Sequence, residues 1–215
     1  MQVMKFGGTS VANATNMSKV VDIVSKAVER DRTILISSAI SGCTDTLIKI
    51  GIRASERDES YKTLIDDLQK KHHDIIRELL PLEKHEESRE VCDALFDSLR
   101  GIAQGVCLLG ELSPASLDAI QSFGELWSTK ILATKLASIG IATKWVDSRA
   151  IIRTVPKNGK NVVDIQKTYF RVNEMVENNR QLYDYIADRD VVSARACVID
   201  YMDKSIEGDL EIYDT

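Results

Sequence analysis

Several things are scarce or missing here, and each absence excludes a class of function. No run of apolar residues is long enough to cross a bilayer, and the N-terminus shows no signal-peptide pattern. A membrane partner is therefore not expected. Cysteine is sparse: Cys43, Cys92, Cys107 and Cys197 are scattered without a C-x-x-C pair. This spacing reads as free thiols of a cytoplasmic protein rather than structural zinc. Histidine is sparser still. His72, His73 and His85 fall in a highly charged region with no metal-like spacing of Cys or carboxylates around them, so solvated rings and no metal ligands are expected. Positive charge is not in excess, since 28 Lys and Arg stand against 33 Asp and Glu for a net charge of −5. That balance argues against a general nucleic-acid binder. There is no G-x-G-x-x-G and no Walker A loop, no internal repeat and no low-complexity tract.

What is present suffices for one substantial core, or a core with a smaller appendage: 215 residues, 44% of them hydrophobic. The most informative stretch is Val3-Met4-Lys5-Phe6-Gly7-Gly8-Thr9-Ser10. A short apolar strand runs into two glycines and two hydroxyls, and an amphipathic helix follows. Backbone N–H groups of a tight turn at a helix start form an anion site. Lys5, placed before the glycines rather than after them, adds a mobile positive charge. The stretch reads either as a phosphate cradle or as an ordinary strand-to-helix turn with a surface lysine.

Apolar spacing at Met17, Val20, Val21, Val24 and Val28 predicts a helix from about Ala12 to Arg30, with Ser10 or Asn13 as N-cap. Thr33 to Ile36 suits a buried parallel strand, and Ser37 to Asp45 is a small-residue turn feeding a second helix. Both turns then lie on the carboxyl edge of one sheet, where open α/β sheets bind ligands. Two long charged helices follow, joined at Pro81 to Glu87, as a hairpin over about 58–110 with a solvated face. Ser113-Pro114 opens a helix expected to break near Gly124, with Glu125 starting another that Gly140 closes. At a helix start, Glu125 either complements the dipole or holds a cation. Ile141 to Asp147 reads as a third strand, with Asp147 and Arg149 as a structural ion pair at its end. Pro156 to Asn161 reads as a polar loop, and Asp164 as the cap of a last helix that weakens beyond Asn178-Asn179. Ala196 to Ile199 is one more strand candidate.

Four stretches occur in a telling order: Lys5 to Ser10, Ser37 to Asp45, Ser122-Phe123-Gly124-Glu125, and Trp145-Val146-Asp147-Ser148-Arg149. Together they resemble the N-terminal part of aspartate kinases. Leu108 to Pro114 looks like the longer-insert branch, which includes lysine-sensitive enzymes and kinase parts fused to homoserine dehydrogenase. The resemblance covers roughly residues 1–180 and leaves 181–215 an unassigned tail. It implies the α/β amino-acid kinase fold, a three-layer αβα sandwich around a mainly parallel sheet, with the helical hairpin inserted. It implies ATP-dependent phosphorylation of the L-aspartate side-chain carboxylate, with Mg²⁺ arriving with ATP, in a cytoplasmic homo-oligomer. Lys5 would be catalytic. Lys5, Phe6, Gly7, Gly8, Thr9 and Ser10 would hold the nucleotide phosphates. Ser38 and Thr44 would bind the carboxylates of aspartate and Glu125 its ammonium, while Ser41 and Gly42 shape the loop.

The family's second glycine-rich segment, of the type Leu-Gly-Arg-Gly-Gly-Ser-Asp, has no counterpart here, nor do its nucleotide-holding region and ACT domains. Tyr183 to Thr215 holds a single glycine, Gly208, and its arginines Arg189 and Arg195 sit in no glycine-rich turn. The chain thus reads as a truncated or divergent product, or as pieces joined across other segments. Residues 1–215 alone are expected not to turn over. The alternative is a non-catalytic or interaction module derived from such a kinase. A kinase for glutamate or carbamate fits less of the pattern.

Overall fold

The computed structural model describes residues 2–157 and 160–187. The chain divides into two units, Met1–Trp145 and Val146–Thr215.

The first unit opens with strand β1 (Gln2–Phe6), a 3-10 turn (Gly8–Val11), helix α1 (Ala14–Val28) and strand β2 (Thr33–Ser37). β1 and β2 pair in parallel, with Lys5 opposite Ile36 and Phe6 opposite Ser37. Parallel neighbours need a crossover, and α1 supplies it, burying Met17, Val20, Val21 and Val24. Of the two expected caps Asn13 is the one used: its side chain accepts from Asn16 N at 2.9 Å. Ser10 instead closes the turn, its N–H donating to the Gly7 carbonyl. The α/β class and the parallel pairing agree with the sequence reading. Among the described residues the parallel sheet has two strands.

Four helices complete this unit: α2 (Cys43–Ser55), α3 (Ser60–Leu79), α4 (His85–Leu109) and α5 (Pro114–Ser138). α3 and α4 form a hairpin through a short 3-10 turn (Leu82–Lys84). One expectation fails at α5, which is a single continuous helix rather than two. Gly124 is not a breaker. Glycine costs a helix interior about 1 kcal/mol relative to alanine, but a Cβ here would lie 2.7 Å from the Ala39 Cβ and 3.3 Å from the Cys43 Sγ. Its smallness lets α5 press onto the loop after β2, so Glu125 sits mid-helix and cannot serve the dipole.

The histidines need a second correction. His72 is fully buried in an aromatic cluster, 4.8 Å from the Trp127 ring and 5.6 Å from the Phe96 ring. Its Nδ1 donates to the Leu68 carbonyl at 2.7 Å. Helical spacing puts residue 72 on the same inward stripe as Ile65, Leu68 and Ile75, which outweighs the charge of its neighbours in sequence. Burial holds the imidazole down at about 4, against an ordinary value of 6.5. The unfolded chain therefore takes up this proton near pH 6.5 and the folded chain only near pH 4. Stability from this residue is full above about pH 6.5 and falls as the pH drops towards 4. Between pH 7 and pH 5 the loss should be about 2 kcal/mol. Urea unfolding at the two values should show it in the natural chain, and His72→Phe should flatten that slope.

The remaining elements also depart from the pattern. Residues 141–147 carry no strand pairing. Trp145 is held by side chains, its Nε1–H donating to Thr129 Oγ1 at 2.9 Å and the Lys130 ammonium lying 3.6 Å from its ring centroid. A β-like composition marks a half-buried extended segment and does not by itself provide a pairing partner.

In the second unit, α6 (Ser148–Ile151) is a single turn capped by Asp147, which also pairs with Arg149 at 2.7 Å. The ion pair is as expected, but it starts a helix rather than ending a strand. Of the stretch expected as a polar loop, Pro156, Lys157, Lys160 and Asn161 instead pair in two antiparallel strands, β3 (Thr154–Lys157) with β4 (Lys160–Val163). Asp164 caps α7 (Ile165–Ala187), accepting from Lys167 N at 3.0 Å. α7 continues through Asn178-Asn179, because a mild propensity deficit does not end a helix. The strand expected at Ala196–Ile199, Cys197 and the tail arginines lie outside the described residues.

Candidate functional site

The site candidate is assembled where the two parallel strands end. β1 delivers Gly7 in an extended conformation, and the 3-10 turn begins at Gly8. A Cβ on Gly8 would stand 3.0 Å from the Ala39 carbonyl oxygen and 3.7 Å from Ser41 N. The first turn therefore packs backbone to backbone against the loop after β2, and any side chain at Gly8 would press on the Ala39 carbonyl. Gly7 differs, because a Cβ there would meet nothing within 4 Å. The space beside its Cα is open, so packing against protein does not explain a glycine at this position. Lys5 and Thr9 are exposed and Ser10 half-buried. Phe6 turns its ring into the core, while its carbonyl accepts from Ser38 N at 3.0 Å.

The second loop is fastened from three sides. Ser128 Oγ on α5 donates to the Ser38 carbonyl at 2.8 Å. Glu125 Oε1, one helical turn earlier, accepts from Ala39 N at 3.2 Å. Lys71 Nζ, from α3 of the hairpin, donates to the Ser41 carbonyl at 2.9 Å. Gly42 then takes a left-handed conformation at φ 77° and caps α2, a geometry that excludes a β-branched residue. Thr44 lies in the first turn of α2, whose amides have no acceptor inside the helix. The structure thus brings together the Gly7-Gly8 turn, Ser38, Thr44 and Glu125. Asp147 and Arg149 belong to the other unit.

Two of the fasteners escape the sequence reading. Ser128 could have been found, since three residues after Glu125 places it on the same helix face. Lys71 had no local signal: it comes from a hairpin whose charged face reads as solvated, 30 residues away from its acceptor. Cys43, the first residue of α2, is fully buried. Burial first, and the Glu125 charge second, push its thiol up to about 12. Among the described residues, no histidine or carboxylate pair stands here to abstract a proton. The arrangement offers amides, hydroxyls, the Lys5 and Lys71 ammonium groups and the Glu125 carboxylate, which can hold anions and an ammonium group.

Residues 1–192 match the family model described as the amino acid kinase family. The chain is 28% identical over 162 residues to the chloroplastic bifunctional aspartokinase/homoserine dehydrogenase 1 of Zea mays, covering 75% of this chain and 17% of that protein. Its fold matches the crystal structure of E. coli aspartokinase III in complex with lysine and aspartate, in the T-state. The TM-score is 0.73 at 26% identity, over 83% of this chain and 38% of that one. The same enzyme with aspartate and ADP, in the R-state, matches with a TM-score of 0.68 at 28% identity, over 78% of this chain and 36% of that one. The chain therefore spans well under half the length of these relatives. The resemblance read from the four stretches is borne out, and the match runs beyond residue 180, where the sequence reading stopped.

Proposed function

This chain belongs to the amino acid kinase family, and from that premise we propose that it carries the phosphoryl- and aspartate-binding part of an aspartate kinase. The reaction is transfer of the ATP γ-phosphoryl group to the side-chain carboxylate of L-aspartate, giving 4-phospho-L-aspartate and ADP. It is the first step towards lysine, threonine and methionine. The observation that carries this reading is the packing of the turn at Gly8 against the Ala39–Ser41 backbone, with Glu125 of α5 hydrogen-bonded to the same loop. Both E. coli aspartokinase III structures are complexes with aspartate, and the R-state one also with ADP, which supports the choice of substrates.

Each residue has a physical task. The Gly7 and Gly8 amides, with Thr9 and Ser10, hold phosphate oxygens, and Lys5 neutralises charge developing on the transferring group. Mg²⁺ comes with ATP and supplies further charge neutralisation; no side chain here is assigned as its ligand. Ser38 and Thr44 bind the substrate's carboxylates, and Glu125 its ammonium. The nucleophile is already a carboxylate, so no general base is needed. The free thiols Cys43, Cys92 and Cys107 suit a cytoplasmic setting.

Glu125→Gln tests the substrate's position. Glutamine keeps an oxygen to accept from Ala39 N, so the loop stays fastened, but it loses the charge facing the ammonium. A hydrogen bond to a charged group is worth about 1.5–3 kcal/mol, so KM for aspartate should rise about tenfold to a hundredfold. KM for ATP should barely move. Product is trapped as the hydroxamate with the protein expressed from its own gene. A variant that weakens ATP and spares aspartate would refute this placement, and no hydroxamate from the natural protein would favour a non-catalytic module.

A further inference from the structure

The hairpin places side by side three groups that the sequence keeps apart. His73 on α3 meets Cys92 and Asp93 on α4, and their donor atoms all lie within 4.8 Å of one another. We propose that His73, Cys92 and Asp93 form a binding site for a thiophilic divalent cation of the zinc class, which clasps the two helices of the hairpin together. This is separate from the kinase reading and does not depend on it.

The donor set is the first argument. One imidazole nitrogen, one thiolate and one carboxylate are ligands that zinc accepts together, whereas magnesium and calcium prefer oxygen alone. The thiolate and carboxylate balance the charge of a dication, so the occupied site is neutral in a partly buried place. The thiol proton leaves to solvent, and His73 keeps its ring proton on Nδ1 when Nε2 binds the metal.

Geometry is the second argument. Ligand atoms around a tetrahedral zinc stand about 3.5 Å apart, so the cluster must close by roughly 1 Å at its widest, within reach of side-chain rotation. His73 Nε2 and Asp93 Oδ1 are 2.6 Å apart as a hydrogen-bonded pair, which must open by under about 1 Å for both to reach one ion. Cys92 is buried while His73 and Asp93 are partly exposed, which leaves a path for the ion and a fourth position for water.

The third argument is the support behind the ligands. Gln69 Nε2 donates to Asp93 Oδ1, and Arg100 Nη2 donates to Gln69 Oε1, each at 2.5 Å. Arg100 is itself anchored by Asp66 at 2.9 Å. Such outer hydrogen bonds orient metal-binding carboxylates, and losing one typically weakens metal binding about 10–100-fold.

The test uses the intact chain, reduced and freed of metal, titrated with Co²⁺ and then Zn²⁺. The expected result is a near-ultraviolet thiolate-to-cobalt band with intense visible bands of tetrahedral cobalt, both abolished by zinc. Cys92→Ser should remove the near-ultraviolet band. His73→Gln and Asp93→Asn should weaken binding at least tenfold, and Gln69→Ala about 10–100-fold. Zinc should raise the Tm of the natural chain and leave Asp93→Asn unmoved. Asp93 is partly exposed, so this variant keeps the test valid if Cys92→Ser fails to fold, with far-ultraviolet circular dichroism as the check. The proposal is overturned if the folded natural chain shows no thiolate band. It is equally overturned if the band survives Cys92→Ser, or if affinity is unchanged in both His73→Gln and Asp93→Asn. The three residues would then be only a hydrogen-bonded link between the helices.

Discussion

Lys5→Ala should lower kcat for aspartyl phosphate formation about a hundredfold to a thousandfold, while KM for aspartate changes only a few-fold. Removing one preorganised group aimed at developing charge typically has that effect on kcat. The cation acts mainly where negative charge grows during transfer, so its loss appears in kcat rather than in ground-state binding. Lys5 is exposed on β1 and pairs through its backbone with Ile36, so its truncation should leave the urea midpoint nearly unchanged. That contrast separates a catalytic role from a structural one. The measurement is hydroxamate trapping with saturating Mg-ATP, using the protein expressed from its own gene. A variant with near-normal kcat would remove Lys5 from the mechanism and return it to the surface-lysine reading.

The largest expected effect on stability is at Trp127. It is 1% exposed, stacked on Phe96 at 4.0 Å between ring centroids and within 5.6 Å of Phe123. Because Phe96 and His72 come from the hairpin and Trp127 from α5, this cluster joins the hairpin to the helix that carries Glu125 and Ser128. Trp127→Ala should cost about 3–5 kcal/mol through lost burial and the cavity left behind. Trp127→Phe should cost less than half as much. The indole N–H has no hydrogen-bond partner among the described residues, so removing it relieves part of a desolvation penalty. Chemical unfolding followed by circular dichroism, rather than tryptophan fluorescence, decides both. A loss below about 1.5 kcal/mol for the alanine variant would mean that the core collapses around the gap and that the cluster is not the joint.

The proposed site was legible in the sequence where its parts are local. The Lys5 to Ser10 turn, the Ser37 to Asp45 turn and the caps at Asn13, Ser113 and Asp164 are each written within a few residues. Chemistry at that range depends on backbone freedom, hydroxyl reach and the absence of a Cβ. The helices of the hairpin were equally readable, because their apolar spacing repeats over many turns. Gly124 was misread for a definite reason. A glycine that breaks a helix and one that admits a neighbouring backbone look alike until the neighbour, here Ala39, is known.

The sequence by itself therefore determined the α/β character, the two glycine- and hydroxyl-rich turns, and the family to which they belong. Periodicity and turn chemistry act within a few residues of the chain, and such signals survive without a fold. Only the tertiary structure decided that α5 runs unbroken through Gly124 and that Ser128 and Lys71 fasten the Ser38–Ser41 backbone. It alone brought His73 to Cys92 and Asp93. Those outcomes depend on which helix faces meet, and contacts between residues twenty to ninety positions apart leave no local pattern to read.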